Sequence, residues 1–189
     1  MKLGMQFKQL KGFGLIELMI VVAIVGIVTA VAAPAISTWI ADTRTRSVTE
    51  ALQNGIRLAQ AEAVRRGVQV QFALTNDTPT TAGVTTSGTG RNWVVQALLV
   101  TPPNTVDTTN GFVQGAPLGA VSATSLVSGP NTITFNSFGR MVAPSNAVTY
   151  TLSNPQGSHN LNIQVSITGK VRMCDPNKTL SALNPDGCL

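Results

Sequence analysis

Between Leu18 and Ala41 the chain carries no charged residue. At about 1.5 Å per residue, this run of about 24 residues makes roughly 36 Å of helix, enough to cross a ~30 Å hydrocarbon core with some tilt. Lys2, Lys8 and Lys11 precede it, so the positive-inside rule keeps the N-terminus cytoplasmic and carries everything after Ala41 across the bilayer. Trp39 then falls at the far interface. A cleavable secretory signal would have a shorter apolar core and a small-residue cleavage site after it; this run is too long and lacks a convincing exit site. Pro34 removes one backbone donor inside the span and clashes with the preceding turn, which predicts a kink or local melting.

Past the apolar run the pattern becomes amphipathic. Val48, Leu52, Ile56, Ala59 and Ala63 recur at three- and four-residue steps, with Arg46, Glu50, Gln53 and Arg57 on the opposite side, the signature of a helix with one buried stripe. The helix is expected to reach Arg66, where Gly67 supplies a C-cap. Glu62 with Arg65 or Arg66 reads as a solvated pair at helical spacing.

After Gly67 the period shortens. Val68 to Leu74, Asn92 to Val100, Asn131 to Asn136, Ala147 to Leu152 and Leu161 to Met173 read as strands, and a mostly antiparallel sheet is expected. Thr75 to Gly90 and Thr101 to Pro130 are rich in Pro, Gly, Thr and Ser and read as loops, with a short strand hidden at Phe112 to Leu118. The fold class is therefore α+β: a long N-terminal helix, membrane-spanning in its first half, packed on a small β-rich head.

With 189 residues, the exported part is one modest domain. Aromatic residues make up only 5%, so the core must rest on Val, Ile and Leu, with Trp93, Phe112, Phe135 and Phe138 as the few large anchors. The formal charge of +5 falls to about +2 without Lys2, Lys8 and Lys11, so global basicity is a weak argument for a nucleic-acid partner. Where the cations sit matters more.

Cys174 and Cys188 lie in the segment placed outside the cytoplasm, which favours a disulfide tethering the tail around Asp175 to Gly187. Two thiols so spaced, with His159 as the sole histidine, do not make a four-ligand metal set. His159 has no recognisable nucleophile or carboxylate partner in the sequence, and neither a Gly-x-Ser-x-Gly nor a phosphate-binding Gly-rich Lys loop occurs. No cofactor and no enzyme activity are expected.

Lys11-Gly12-Phe13-Gly14-Leu15-Ile16-Glu17-Leu18 resembles the class III leader of the type IV pilin and pseudopilin superfamily, in which a Gly-Phe or Gly-Met step is followed four residues on by Glu. The resemblance implies that a prepilin peptidase cuts between Gly12 and Phe13, leaving the apolar helix in place, and that the new Phe13 amine is N-methylated. A carboxylate inside a membrane segment costs about 2.5 to 3.5 kcal/mol on insertion scales, so Glu17 needs a partner. Within one chain, Phe13 and Glu17 lie one helical turn apart. Between chains, Glu17 can pair with the Phe13 amine of a docking neighbour and set its axial register, the assembly logic proposed for the superfamily. Proline at the place of Pro34 is also common there, where some members loosen the helix on entering a filament; a tolerated kink without a role is the alternative.

Ile133-Thr134-Phe135-Asn136-Ser137-Phe138-Gly139-Arg140 and the stretch from Leu161 to Cys174 resemble the C-terminal half of the GspH/FimT family, which includes minor pilins and minor pseudopilins. FimT-like members used in natural transformation carry Gly-Arg-x-Arg near the C-terminus as part of a DNA-binding surface. Here the motif is Gly169-Lys170-Val171-Arg172, with Lys as a point charge in place of a planar fork. If Leu161 to Met173 is one strand, Lys170 and Arg172 share a face with Gln164, Ser166 and Thr168, opposite Ile163, Val165, Ile167, Val171 and Met173. That polar face either meets DNA phosphates, aided by Arg140 and Lys178, or serves only as a solvated basic strand.

The resemblance implies a division into a cleaved leader at 1–12, an N-terminal helix at 13–66 with its membrane segment at about 18–41, and an extracytoplasmic head at 67–189. A minor type IV pilin of FimT/FimU-like kind is the favoured reading, in the inner membrane before assembly and in the periplasm and pilus afterwards. Its implied partners are other major or minor pilins or pseudopilins, the prepilin peptidase, inner-membrane lipid and nonspecific DNA. A GspH-like pseudopilin of a type II secretion system and a purely structural minor pilin are the alternatives.

Overall fold

The helix ends where the apolar period changes: α1 runs from Leu15 to Arg66 in a computed structural model that describes residues 14–101, 104–118 and 126–189. Gly67 adopts φ 68° and its amide donates to the Ala63 carbonyl at 3.0 Å, the left-handed cap that a side chain would strain. Chain contacts divide the protein into two units between Ser37 and Thr38. In the first, the apolar side chains stand exposed along the helix, among them Leu15, Ile16, Ile27 and Val31. Its hydroxyls turn inward to the backbone: Thr29 Oγ1 donates to the Val25 carbonyl at 2.8 Å and Ser37 Oγ to the Pro34 carbonyl at 2.8 Å. The helix runs unbroken through Pro34.

Among the described residues the second unit holds ten strands: β1 Val70–Thr75, β2 Asn92–Ala97, β3 Phe112–Pro117, β4 Leu126–Ser128, β5 Thr132–Phe135, β6 Met141–Ala143, β7 Val148–Ser153, β8 Leu161–Val165, β9 Val171–Thr179 and β10 Gly187–Cys188. They form two five-stranded sheets in the orders β3-β2-β1-β5-β6 and β10-β9-β8-β7-β4. Every pairing is antiparallel except β9 with β10. The strand hidden near Phe112 is β3. The very short β4, β6 and β10 have no alternating pattern long enough to read.

One core joins the helix to both sheets. Val48, Leu52, Ile56, Ala59 and Ala63, the stripe expected from the periodicity, are all buried and cluster with Phe72, Trp93, Phe135, Tyr150, Ile163 and Val165. Truncating Leu52 or Ile56 to Ala would cost about 2–5 kcal/mol. The helix approaches the first sheet closely at Gly55, where an added Cβ would stand 2.9 Å from the Phe72 ring and 3.0 Å from that of Trp93. Phe72 stacks on Trp93 with centroids 6.1 Å apart and meets Tyr150 edge-on at 6.3 Å, two arrangements that aromatic quadrupoles favour.

Three expectations need correction. Phe112 and Phe138 are not core anchors: Phe112 sits half-exposed at the start of edge strand β3, and Phe138 is 83% exposed at the tip of the β5–β6 turn. Phe72 and Tyr150 fill the positions of the missing anchors. Leu161 to Met173 is not one strand but a hairpin, because Gly169 at φ 88° lets the chain reverse between β8 and β9.

Candidate functional site

The leader cleavage site implied by Gly12 and Phe13 lies outside the described residues. Glu17 opens α1: its amide and that of Leu18 donate to the Gly14 carbonyl at 3.1 and 3.2 Å. Among the described residues its carboxylate makes no hydrogen bond or ion pair, and the flanking Ile16 and Leu18 are 68% and 63% exposed. A carboxylate on an otherwise apolar, uncovered helix surface is costly in a membrane unless a covering and a counter-charge are supplied from outside the described residues.

The hairpin changes the geometry of the basic motif. Ser166 and Lys170 close the turn, the Ser166 amide donating to the Lys170 carbonyl at 3.0 Å and the Gly169 amide to the Ser166 carbonyl at 2.9 Å. Lys170 is therefore a turn residue rather than the alternate of Arg172 on a continuous strand. Gln164 and Arg172 do share a face, because they are register partners across the β8–β9 ladder. Val165 and Val171 pair in the same way.

The four cations proposed for phosphate contact separate into two kinds. Arg172 Nη2 donates to the Pro185 and Gly187 carbonyls, each at 2.7 Å, so both hydrogens of that nitrogen are spent on the tail. Lys178 Nζ bonds Asp186 Oδ2 at 2.5 Å and stands 3.6 Å from Asp175 Oδ2. The hydrogen bond to Asp186 raises the Lys178 pKa. Cys174 and Cys188 form a disulfide with Cα atoms 5.0 Å apart, so covalent, ionic and guanidinium contacts all hold the same returning tail. Lys170 and Arg140 are exposed, and their charged ends have no hydrogen-bond or ion-pair partner among the described residues.

Arg140 belongs to a turn built like that of Lys170. The Asn136 amide donates to the Arg140 carbonyl at 2.9 Å and the Gly139 amide to the Asn136 carbonyl at 2.9 Å, with Gly139 at φ 72°. Asn136 Oδ1 also accepts the Phe138 and Arg140 amides, both at 3.0 Å. Each turn thus ends in Gly followed by a cation. The two turns come from different sheets, and the Gln60 side chain bonds both. Nothing in the sequence marks Gln60 except its position near the edge of the buried helical stripe.

Asp42 is a second residue that sequence reasoning missed, although it is the first charge after the apolar run. Its Oδ1 accepts the Ser158 and His159 amides at 2.8 and 3.0 Å, and its Oδ2 accepts the Ser158 hydroxyl at 2.8 Å and lies 3.1 Å from His159 Nδ1. Burial pushes this carboxyl up, but the bonds from Ser158 and His159 outweigh it and hold the pKa at about 2. The three side chains do not make a relay: Ser158 and Asp42 both address Nδ1 of the same ring. Asp42 instead pins the β7–β8 loop to the helix. Glu62, by contrast, bridges Arg65 at 2.7 Å and Arg66 at 2.8 Å within the last turns of the helix itself.

A prokaryotic N-terminal methylation motif matches residues 8–33, the segment containing Gly12, Phe13 and Glu17, and with the apolar helix it marks a membrane anchor. The family described as type II transport protein GspH matches residues 48–169. Fimbrial protein Q of Moraxella bovis is 40% identical over 78 residues, 41% of this chain and 50% of that protein; the chain spans about half the length of this curated relative. Two crystal forms of the type IV minor pilin FimU of Pseudomonas aeruginosa share the fold, with TM-scores of 0.53 and 0.50 at 16% and 15% identity. They cover 78% and 76% of this chain, and 97% and 99% of the FimU chains. This is a family of structural subunits that assemble with other pilins. The helix with its methylation motif, the β-rich head and the match over most of that head lead to one assignment: the chain belongs to the GspH family of minor type IV pilins and pseudopilins.

Proposed function

We propose that the protein is a minor type IV pilin, a structural and non-catalytic filament or tip subunit that supports pilus assembly. The observation that carries this reading is the Glu17 carboxylate, without a partner among the described residues, at the start of an uncovered apolar helix, within a segment that matches the methylation motif. Prepilin peptidase removes residues 1–12 at the cytoplasmic face. The processed chain stays in the inner membrane until its helix joins a filament, where Glu17 meets the Phe13 amine of a neighbour. The likeness to a fimbrial protein and to a minor pilin supports the pilus over the secretion pseudopilus, while the description of the matching family supports the pseudopilin alternative. Immunoblotting of sheared pili decides between them: the chain is expected in filaments from cells lacking type II secretion genes and absent from those lacking pilus genes. The opposite dependence sinks the pilus reading.

DNA capture is a further role for the same subunit, restricted to Lys170 and Arg140. Their uncommitted side chains support it; the engagement of Arg172 and Lys178 by the tail counts against a four-cation surface. A head with two available cations makes only weak, sequence-independent contact with a duplex.

A further inference from the structure

Where α1 leaves the apolar run, one of its faces is built into an open cleft of about 440 Å³. Trp39, Asp42, Thr43 and Arg46 line it from the helix, at the three- and four-residue steps of a single face. Asp175, Lys178 and Asp186 line it from the tail that the disulfide ties down. The four helical positions rise only about 10 Å along the axis, and the polar layer of a bilayer is about 5–8 Å deep on each side of its ~30 Å core. Trp39 is 69% exposed and stands just before the end of the apolar run at Ala41. The cleft therefore begins at the depth where an indole ring prefers to sit and climbs through the depth of lipid headgroups. The loop that the Lys178–Asp186 pair closes also carries Leu180 and Leu183, outside the cleft lining and 38% and 91% exposed, apolar surface that suits contact with lipid.

The charges in the cleft select among headgroups. Counting His159 as neutral, Asp42, Asp175 and Asp186 outnumber Arg46 and Lys178, so an occupant with only a phosphate meets an excess of its own sign. Arg46 gives Glu50 only its Nε, at 3.0 Å; its two terminal nitrogens have no partner among the described residues and form a planar fork suited to phosphate. On the other wall, Lys178 Nζ lies against Asp186 and 3.6 Å from Asp175, which shows that this wall accepts an ammonium. Asp186 is 55% exposed, and a carboxylate has room for further N–H donors. A quaternary ammonium brings no N–H and prefers a cage of aromatic faces, whereas Trp39 is the one Phe, Tyr or Trp in this lining. No group of three side chains that could hold a metal ion occurs among the described residues. We propose that the cleft holds the headgroup of a phospholipid with a primary ammonium, of phosphatidylethanolamine type, its phosphate against Arg46 and its ammonium against Asp186 and Asp175, with the acyl chains passing Trp39. The proposal rests on the membrane anchor and is the same for a pilus or a secretion subunit. It gives the inserted chain a specific lipid contact beyond its span, one that is given up when the helix leaves the bilayer.

The test uses the full chain extracted from membranes in a neutral detergent, with bound lipid read by native mass spectrometry after equal amounts of dioleoyl phosphatidylethanolamine, phosphatidylcholine and phosphatidylglycerol are added. One phosphatidylethanolamine is expected to be retained about tenfold over either competitor, and Arg46→Gln to lower that retention roughly tenfold, the effect of losing a charge-assisted hydrogen bond. Arg46 makes only an exposed pair with Glu50, so this variant is expected to fold as wild type by circular dichroism. Arg44→Gln, exposed at the same depth but outside the cleft lining, is expected to leave retention unchanged. Glycerophosphoethanolamine, the same headgroup without acyl chains, is expected not to displace the lipid at equal concentration. Equal retention of the three lipids, preference for either competitor, equal losses in Arg44→Gln and Arg46→Gln, displacement by the chain-free headgroup, or no retained lipid overturns the proposal. Recovery of the chain from the soluble fraction of cells overturns the membrane anchor as well.

Discussion

Gln60 and Gly169, 109 positions apart in sequence, meet at 2.9 Å, and the same Gln60 nitrogen reaches Gly139 at 2.8 Å. One helical side chain therefore satisfies a carbonyl from a turn of each sheet. Replacing Gln60 by Ala leaves both carbonyls to find water at a half-buried site, and a loss of about 1–3 kcal/mol is expected. Denaturant titration of the full chain in detergent measures it, and amide exchange should quicken at Gly139 and Gly169 together. Faster exchange in only one turn would show that Gln60 does not couple them.

Asp42 makes stability pH-dependent at the base of the head. Its carboxyl is held at about 2 against an ordinary value of 3.8, so the stabilisation is present above about pH 4 and is lost as the pH falls toward 2, at most about 2 kcal/mol for a shift of this size. Asp42→Asn should be less stable than wild type at pH 6 and converge with it near pH 2. Amide exchange at Ser158 and His159 should report the same window. A difference that persists unchanged at pH 2 would remove the carboxylate from the explanation.

The tail should come loose in two ways that are not additive. Cys188→Ser opens a loop of about 15 residues, worth roughly 3 kcal/mol by chain entropy, and Arg172→Gln removes the donors to Pro185 and Gly187. Because both hold one segment, the double variant should cost less than the two separate losses combined. Simple additivity, measured by thermal or denaturant unfolding, would mean that Arg172 and the disulfide act on separate parts of the tail.

Duplex binding by the full chain should show no more than about two phosphate contacts, a salt slope of magnitude about 1.8 or less. Lys170→Gln/Arg140→Gln should abolish it, whereas Arg172→Gln should leave the slope unchanged. A slope corresponding to four contacts, reduced by Arg172→Gln, would restore the larger basic surface read from the motif.

Much of this fold is written in local periodicity. The stripe from Val48 to Ala63 and the cap at Gly67 are legible because a helix repeats every turn and a glycine at positive φ has a specific use. The β8–β9 turn was hidden by the same logic: Gln164-Val165-Ser166-Ile167-Thr168 alternates like a strand, and only Gly169 breaks the pattern. Phe138 misled because hydrophobicity alone does not say whether a side chain enters the core or stands on a turn. The pairing of Arg172 and Lys178 with the tail depends on where a distant segment returns, as does the meeting of Asp42 with Ser158, and no local pattern encodes such contacts. The Gly12-Phe13 step and Glu17 are the sequence signal for the proposed leader, and they lie in the segment that matches the methylation motif.

Intact-mass and N-terminal peptide measurement of the chain recovered from sheared filaments tests the central claim most directly. The chain is expected to begin at N-methylated Phe13, to lack residues 1–12 and to be lost from filaments when Glu17 is replaced by Ala, though it still inserts in the membrane. A chain that retains Lys11 and Gly12 in cells with active prepilin peptidase, or that enters filaments equally well without Glu17, contradicts the account.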